Sequence, residues 1–281
     1  MRNLGMLLTM TLLFGVAFAP GAAAQLPIGG GITNVVPLIT SVTVSSSFAP
    51  TSGASTSIPV STVITDTNGC NDLTTGSATV TGAIYTSADA LFVSPVSLSF
   101  SSCSLGVAAT FTGNAAMPFY AAAGNYKLRV VATDQAGGAV SALLATAPVF
   151  SYSSLVAMTS DASFSFSASV APGSATAAGQ GVAVTNKGNS QMDVQVSGTD
   201  LTLSSPSATI AVANMAYSLS SDMSSSSALS GSAATLSSFN LVSGASSAKT
   251  LYLQMTAPSA ASQYLPAGTY AGTMTITAVS G

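Results

Sequence analysis

Apolar side chains recur at every second position through most of this chain. In VAVTNKGNSQMDVQVSG, Val182 to Gly198, the residues Val182 and Val184 and then Met192, Val194 and Val196 keep that spacing on either side of Asn-Lys-Gly-Asn. Period two places alternate side chains on one face of a strand, and a polar pause containing glycine reads as a turn, so the stretch predicts a β-hairpin. Between Ile39 and Tyr152 the alternation returns in ITSVTVSSSF, IPVSTVITD, SATVTGAIYT, VSLSFSS, AATFTG, NYKLRVVATD and AVSALLATAPVF. From Asp161 onward it returns in ASFSFSASV, GVAVTN, MDVQVSG, ATIAV, AYSLS, TLYLQMTA and TYAGTMTITAV. No sustained helical period competes. Two series of about seven short strands have the count and spacing of immunoglobulin-like sandwiches. The expected fold is all-β: two tandem sandwiches over residues 39–152 and 161–281, joined by a linker at 153–160.

An internal echo supports the tandem reading. AAGNYKLRVVATD, Ala122 to Asp134, and PAGTYAGTMTITA, Pro266 to Ala278, share Ala-Gly-x-Tyr followed by alternation. Tyr126, Leu128, Val130 and Ala132 are expected to face one core, and Tyr270, Gly272, Met274 and Ile276 the other. A tyrosine at the start of a late strand suits a tyrosine corner, where the ring fills the core edge and the hydroxyl bonds backbone. The competing reading is a common strand opening repeated by composition. Between strands of the second half, Ser218 to Ala248 is crowded with serine and reads as a loop or linker.

The N-terminus changes the picture of where the chain goes. MRNLGMLLTMTLLFGVAFAPGAAAQ carries one cation, Arg2, then an apolar core from Leu4 to Phe18, then Ala22-Ala23-Ala24. That is the order of a secretory signal peptide, residues 1–24, with cleavage expected before Gln25. Its apolar run is shorter than the roughly 20 residues of a membrane span. The mature chain is expected to have no membrane span and to be secreted, in the extracellular medium or on the cell surface. In an exported chain the two cysteines, Cys70 and Cys103, most simply form one disulfide, contributing about 3 to 4 kcal/mol through loop closure.

Composition then removes whole classes of function. Only 5% of the 281 residues are charged and the formal net charge is −3, against roughly 25% charged residues in an average soluble domain. The five basic residues, Arg2, Lys127, Arg129, Lys187 and Lys249, are too scattered for a nucleic-acid partner. Histidine is absent, so a Ser-His-Asp hydrolase has no base. The eight acidic residues are all Asp and stand singly along the chain, not as the paired carboxylates of a glycosidase. The expectation is no enzyme and no cofactor. Weak charge also lowers repulsion between copies and favours association, although surface sugars or an acidic habitat would account for it too. No Asn-x-Ser/Thr sequon follows the signal peptide, so any sugars would be O-linked.

In DTNGCND, the oxygens of Asp66, Asn68 and Asp72 are weak candidates for calcium, without the spacing or the Glu of an EF-hand loop. A disulfide-pinned turn at Asn-Gly is the simpler reading, and no metal is expected. Lys127 and Arg129 lie two apart on the outer face of one strand, as solvated charge or as a dock for an Asp of a neighbouring copy.

The phrase SVAPGSATAAGQGVAVTNKGNSQMDVQVSGTDLTL, Ser169 to Leu203, resembles the opening of immunoglobulin-like domains in prokaryotic surface and exported proteins, akin to the Hydin type. The first half resembles bacterial and archaeal immunoglobulin-like repeats through GNYKLRVVATDQAGG. The resemblance implies scaffolding in a wall, filament or adhesive structure, and carries no catalytic residue.

After cleavage the chain opens QLPIGGGITNVVPLITSV, an apolar arm at residues 25–38 whose Ile32, Val35, Val36, Leu38 and Ile39 are too hydrophobic for an idle tail. One strand follows the tyrosine strand of the first half and none follows that of the second, so one sandwich is expected to lack an edge partner. These features predict a non-enzymatic surface protein, a self-assembling subunit of an extracellular filament or coat, with the arm of one copy added to an open sheet of the next. The arm folding back along its own first sandwich is the alternative. The rival from another class is an adhesin or carbohydrate-binding exoprotein, partnered by glycans or other surface proteins, for which Tyr85, Tyr120, Tyr152 and Tyr264 are the loop-near aromatics.

Overall fold

A computed structural model describes residues 30–141 and 147–281. The signal peptide, the first residues of the arm and the middle of AVSALLATAPVF lie outside the described residues. The first ten strands are β1 (Leu38–Thr43), β2 (Ser47–Phe48), β3 (Thr56–Thr65), β4 (Thr79–Thr86), β5 (Leu91–Ser97), β6 (Ser99–Ser104), β7 (Ala108–Met117), β8 (Gly124–Thr133), β9 (Ala139–Ser141) and β10 (Val149–Tyr152). They form two sheets, ordered β1-β3-β7-β6 and β2-β10-β8-β4-β5, with β9 also on β8. Lettered along the chain, that is the ABED sheet facing the GFC sheet of an immunoglobulin-like sandwich, with one added strand beyond C. The alternation of β8 sends Tyr126, Leu128, Val130 and Ala132 into a core with Ile58, Ile64, Ile84 and Phe150.

The remaining strands are β11 (Met158–Ser160), β12 (Gln180–Asn186), β13 (Met192–Gly198), β14 (Leu201–Ser204), β15 (Ser207–Ile210), β16 (Met215–Ser218), β17 (Ser227–Ala228), β18 (Ala234–Leu241), β19 (Ala248–Met255) and β20 (Met274–Ser280). One sheet runs β11-β12-β19-β16-β17 and the other β18-β13-β20, with β14-β15 as a separate ribbon. The first repeats the ABED order. The second holds C and F, as β13 and β20, with β18 on the far side of C. A second core, built on Val184, Met192, Val194, Phe239 and Leu251, fills the space between them.

The structure departs from the sequence pattern in four places. The segment Val182 to Gly198 is not a hairpin: β12 pairs with β11 and β19, whereas β13 pairs with β18 and β20. The chain crosses between sheets at the turn, and both apolar faces meet across the core; period two reports a buried face without saying which sheet owns it. The serine-rich stretch from Ser218 is not a loop throughout, because β18 pairs antiparallel with β13 and buries Leu236, Phe239 and Leu241. Its three apolar anchors were diluted by hydroxyls that face solvent. ASFSFSASV forms no strand despite its alternation. The linker at 153–160 already contains β11, so the second sandwich's sheet begins at Met158.

The turn after β12 has another task. Lys187 N donates to Ala157 O (2.8 Å) and Gly53 N donates to Lys187 O (2.8 Å). Asn189, 6% exposed, donates through Nδ2 to Ala121 O and Ser153 O, both at 2.9 Å, and accepts at Oδ1 from Leu155 N at 2.6 Å. A Cβ on Gly188 would stand 2.1 Å from Leu155 O, so only glycine lets the backbones approach. Residues of the Asn-Lys-Gly-Asn turn therefore bond backbone from both sandwiches.

Two substitutions test this packing. Phe239→Ala is expected to cost about 3 to 5 kcal/mol in urea unfolding, whereas a solvent-exposed serine-rich loop would make it nearly neutral. Asn189→Ala strands one buried N–H and two carbonyls, and a loss of at least about 2 kcal/mol is expected in the same measurement.

Candidate functional site

The two sandwiches differ beyond their tyrosine strands. In the first, β10 lies beside β8 as the seventh strand, and β2 runs parallel to β10 on its other side. In the second, β20 pairs with β13 along one edge, and no strand among the described residues pairs with its other edge. A groove of about 800 Å³ opens between the sheets at that place. Its apolar lining includes Phe164, Phe166, Val182, Leu229, Met274 and Ile276. Met274, Ile276 and Ala278 alternate along β20 and are only half buried.

ASFSFSASV borders the groove, and the rings of Phe164 and Phe166 meet edge to face at 5.0 Å against the second core. Ser167 N donates to Gln180 Oε1 (2.6 Å), and just ahead of the segment the Asp161 carboxylate accepts from Ala183 N of β12 (2.9 Å). By its place after β11, this segment corresponds to the chain around β2 in the first sandwich. There, β2 is a strand because β10 supplies its partner; here the sequence alternates and, among the described residues, no strand pairs with its backbone.

The tyrosines share one contact. Tyr126 Oη donates to Ala122 O (2.8 Å) and Tyr270 Oη to Pro266 O (3.0 Å), each four residues back. Tyr126 is buried, and burial together with the nearby Tyr152 raises its pKa. Tyr270 is half buried and lines the groove ahead of β20, so its hydroxyl contact matches and its packing does not. Of the proposed loop aromatics, Tyr85 lies in β4, and Tyr152 is buried in β10 with its hydroxyl on Thr56 Oγ1. Tyr120 and Tyr264 are exposed, at 39% and 79%.

The arm is shorter than its composition suggests. Leu38 and Ile39 belong to β1 and pair with Thr65 and Ile64 of β3, so they are excluded from any free arm. Asn34 Nδ2 donates to Asp134 Oδ2 (3.0 Å), and Val35 N donates to Asn68 Oδ1 (2.8 Å). Ile32, Val35 and Val36 remain exposed, Ile32 at 93%.

Asn68 is thus turned to the arm, while Asp66 and Asp72 meet Asp134, which follows β8. One carboxylate oxygen from each lies within 4.8 Å of the others. Burial pushes the Asp72 carboxyl above its ordinary range, and the charges of Asp66 and Asp134 add to this. Asn34 and backbone N–H groups of the turn at Gly138 hold Asp134 below its ordinary range. Sequence reasoning missed Asp134, which is remote along the chain; the register of β4 with β8, which sets Thr79 against Thr133, is what brings it near. Beside the trio, Cys70 and Cys103 are joined as a disulfide. Lys127 pairs with Asp89 at 2.6 Å, and Arg129 donates to Ser141 Oγ at 2.9 Å while lying over the Tyr85 ring, so both cations are engaged within the chain.

No family model and no curated protein sequence matches the chain. Solved structures show loose likeness. The complex of the CsuC chaperone with the CsuE tip adhesion subunit, from the archaic chaperone-usher Csu pili of Acinetobacter baumannii, matches at 13% identity and TM-score 0.36, over 85% of this chain and 99% of that one. Latent dimeric PorU of Porphyromonas gingivalis matches at 14% identity and TM-score 0.27, over 80% of this chain and 20% of its own. The C-terminal domain of the Streptococcus agalactiae AgI/II polypeptide BspA matches at 11% identity and TM-score 0.23, over 84% and 91%. The class defined by the strands themselves is an all-β protein of immunoglobulin-like sandwiches.

Proposed function

We propose that the protein is a non-enzymatic, exported structural subunit of the cell surface that assembles with copies of itself by strand addition, the second sandwich receiving a strand beside β20. The observation that carries this reading is the apolar groove along that unpaired edge. Protein interiors are close-packed, and a strand with an open row of N–H and C=O groups is a template for another chain. An incoming strand satisfies both at once, its backbone pairing with β20 and its alternate side chains filling the groove.

The donor is the N-terminal arm of a second copy. Leu26, Ile28, Gly30 and Ile32 alternate, and the stretch from Leu26 to Thr33 is about as long as the seven residues of β20. Asn34 marks where the arm is tied to its own first sandwich. Pro27 lacks an N–H and stands near the start of this stretch, where a strand tolerates proline. Donation from the first sandwich of one copy to the second of the next does not close on itself and gives a filament. Few charges oppose such contacts.

The rival is a binding module, favoured by the groove's volume, which is within the range of roughly 300 to 1,000 Å³ for small-molecule pockets. Glycan sites draw on exposed aromatic rings, and Trp is absent from this chain.

Deleting residues 25–33 is expected to abolish fibres seen by negative-stain microscopy, and so is Ile276→Lys at the acceptor edge. Mixing the two variants restores one productive pairing, so dimers and no longer species are expected in sedimentation velocity. Intact fibres from the truncated chain, or glycan-array binding by a protein that stays monomeric, would refute the reading.

A further inference from the structure

The carboxylate trio in the first sandwich is independent of the groove. Asp66 follows β3, Asp72 lies on the one-turn helix Cys70–Leu73, and Asp134 follows β8. Asp66 and Asp134 are 2% and 0% exposed. Asp134 uses both oxygens, accepting from Asn34 Nδ2 at Oδ2 and from Gly138 N at Oδ1. Asp66 does not: Oδ1 accepts from Asn68 N, but Oδ2 is buried with no hydrogen-bond partner, and so is Asp72 Oδ2. The ion pair found among the described residues, Lys127 with Asp89, involves none of the three. In a chain with eight acidic residues, three meet at one point, and among the described residues no Lys or Arg forms an ion pair with them.

A buried carboxylate oxygen is stable when it is paired, hydrogen-bonded or bound to a metal. From these unpaired oxygens and their convergence, we propose that Asp66, Asp72 and Asp134 bind a divalent cation of the calcium class. Every available ligand there is a hard oxygen, the set that calcium takes with its variable coordination number. The softer donors that would select zinc or copper are missing, since the chain has no histidine and the neighbouring Cys70 is consumed in the disulfide. The cation joins two segments remote along the chain, the stretch Asp66–Asp72 and the turn after β8. It also reaches the arm, because Asn34 bonds Asp134 directly and Val35 N bonds Asn68, whose own N–H bonds Asp66. Calcium would therefore fix the root from which residues 25–33 depart, whatever those residues then do.

The test is calcium titration of the chelator-treated, purified protein by isothermal titration calorimetry, with thermal unfolding alongside. A single ion is expected to bind with Kd of about 1 mM or tighter, the range of extracellular modules, and about 10 mM calcium is expected to raise Tm by a few degrees. Asp72→Asn, at the least buried of the three, is expected to weaken binding at least about tenfold and to abolish the Tm shift. The unmodified protein showing neither heat nor a Tm shift would overturn the proposal, and so would Asp72→Asn binding calcium with undiminished affinity.

Discussion

Backbone pairing along strand edges is the interaction on which this structure turns. The chain is built from Ala, Gly, Ser, Thr and Val, with few large side chains and almost no charges, so side-chain contacts alone specify little. What makes a segment a strand here is a neighbour that takes its N–H and C=O groups. The first sandwich supplies such a neighbour beside its tyrosine strand, β10 next to β8. Among the described residues the second has none on the outer edge of β20, and two features go with this: the core opens into a groove, and ASFSFSASV, with a strand's alternation, is irregular. A single added strand between β20 and that segment would resolve both.

The same constraint explains how the sandwiches are joined. Backbone groups in the turn after β12 and in Leu155 to Ala157 have no ladder to join, and they are satisfied across the seam by Asn189, Lys187 and Gly53. Buried polar groups matched in this way tie local conformation to long-range contact. At the other end of the first sandwich, Asn34 and Asn68 fasten the arm's root to the segments around Asp66 and Asp134. Both devices spend scarce polar side chains where the backbone leaves a sheet.

Much of the fold was legible because period-two alternation is a local signal. β3, β4, β7, β8, β12, β13 and β19 lie on segments whose pattern predicts them. Pairing was not legible, since it depends on residues distant in sequence. Val182 to Gly198 shows this best: the two strands are there, but they belong to opposite sheets. β18 was hidden because its apolar positions, Leu236, Phe239 and Leu241, depart from strict alternation at a register shift opposite Met192 and Val194. At the candidate sites, Asp66 and Asp72 were visible as a cluster, whereas Asp134 needed the register of β8. The arm was visible in its hydrophobicity, yet Leu38 and Ile39 belong to β1 and pair with β3, with Ile39 packed against the first core and Leu38 left exposed. The second edge of β20, unpaired among the described residues, and the groove beside it needed coordinates.

Strand addition depends on the edge of β20 that is unpaired among the described residues. Hydrogen–deuterium exchange over Met274 to Ser280, read on dilute monomer and on concentrated assembled protein, tests it most directly. Amides of β20 that face β13 should be protected in both states, and the alternate amides facing the groove should exchange fast in the monomer and become protected on assembly. Full protection of all β20 amides in the monomer, or unchanged fast exchange of the outer set in the assembly, would contradict it.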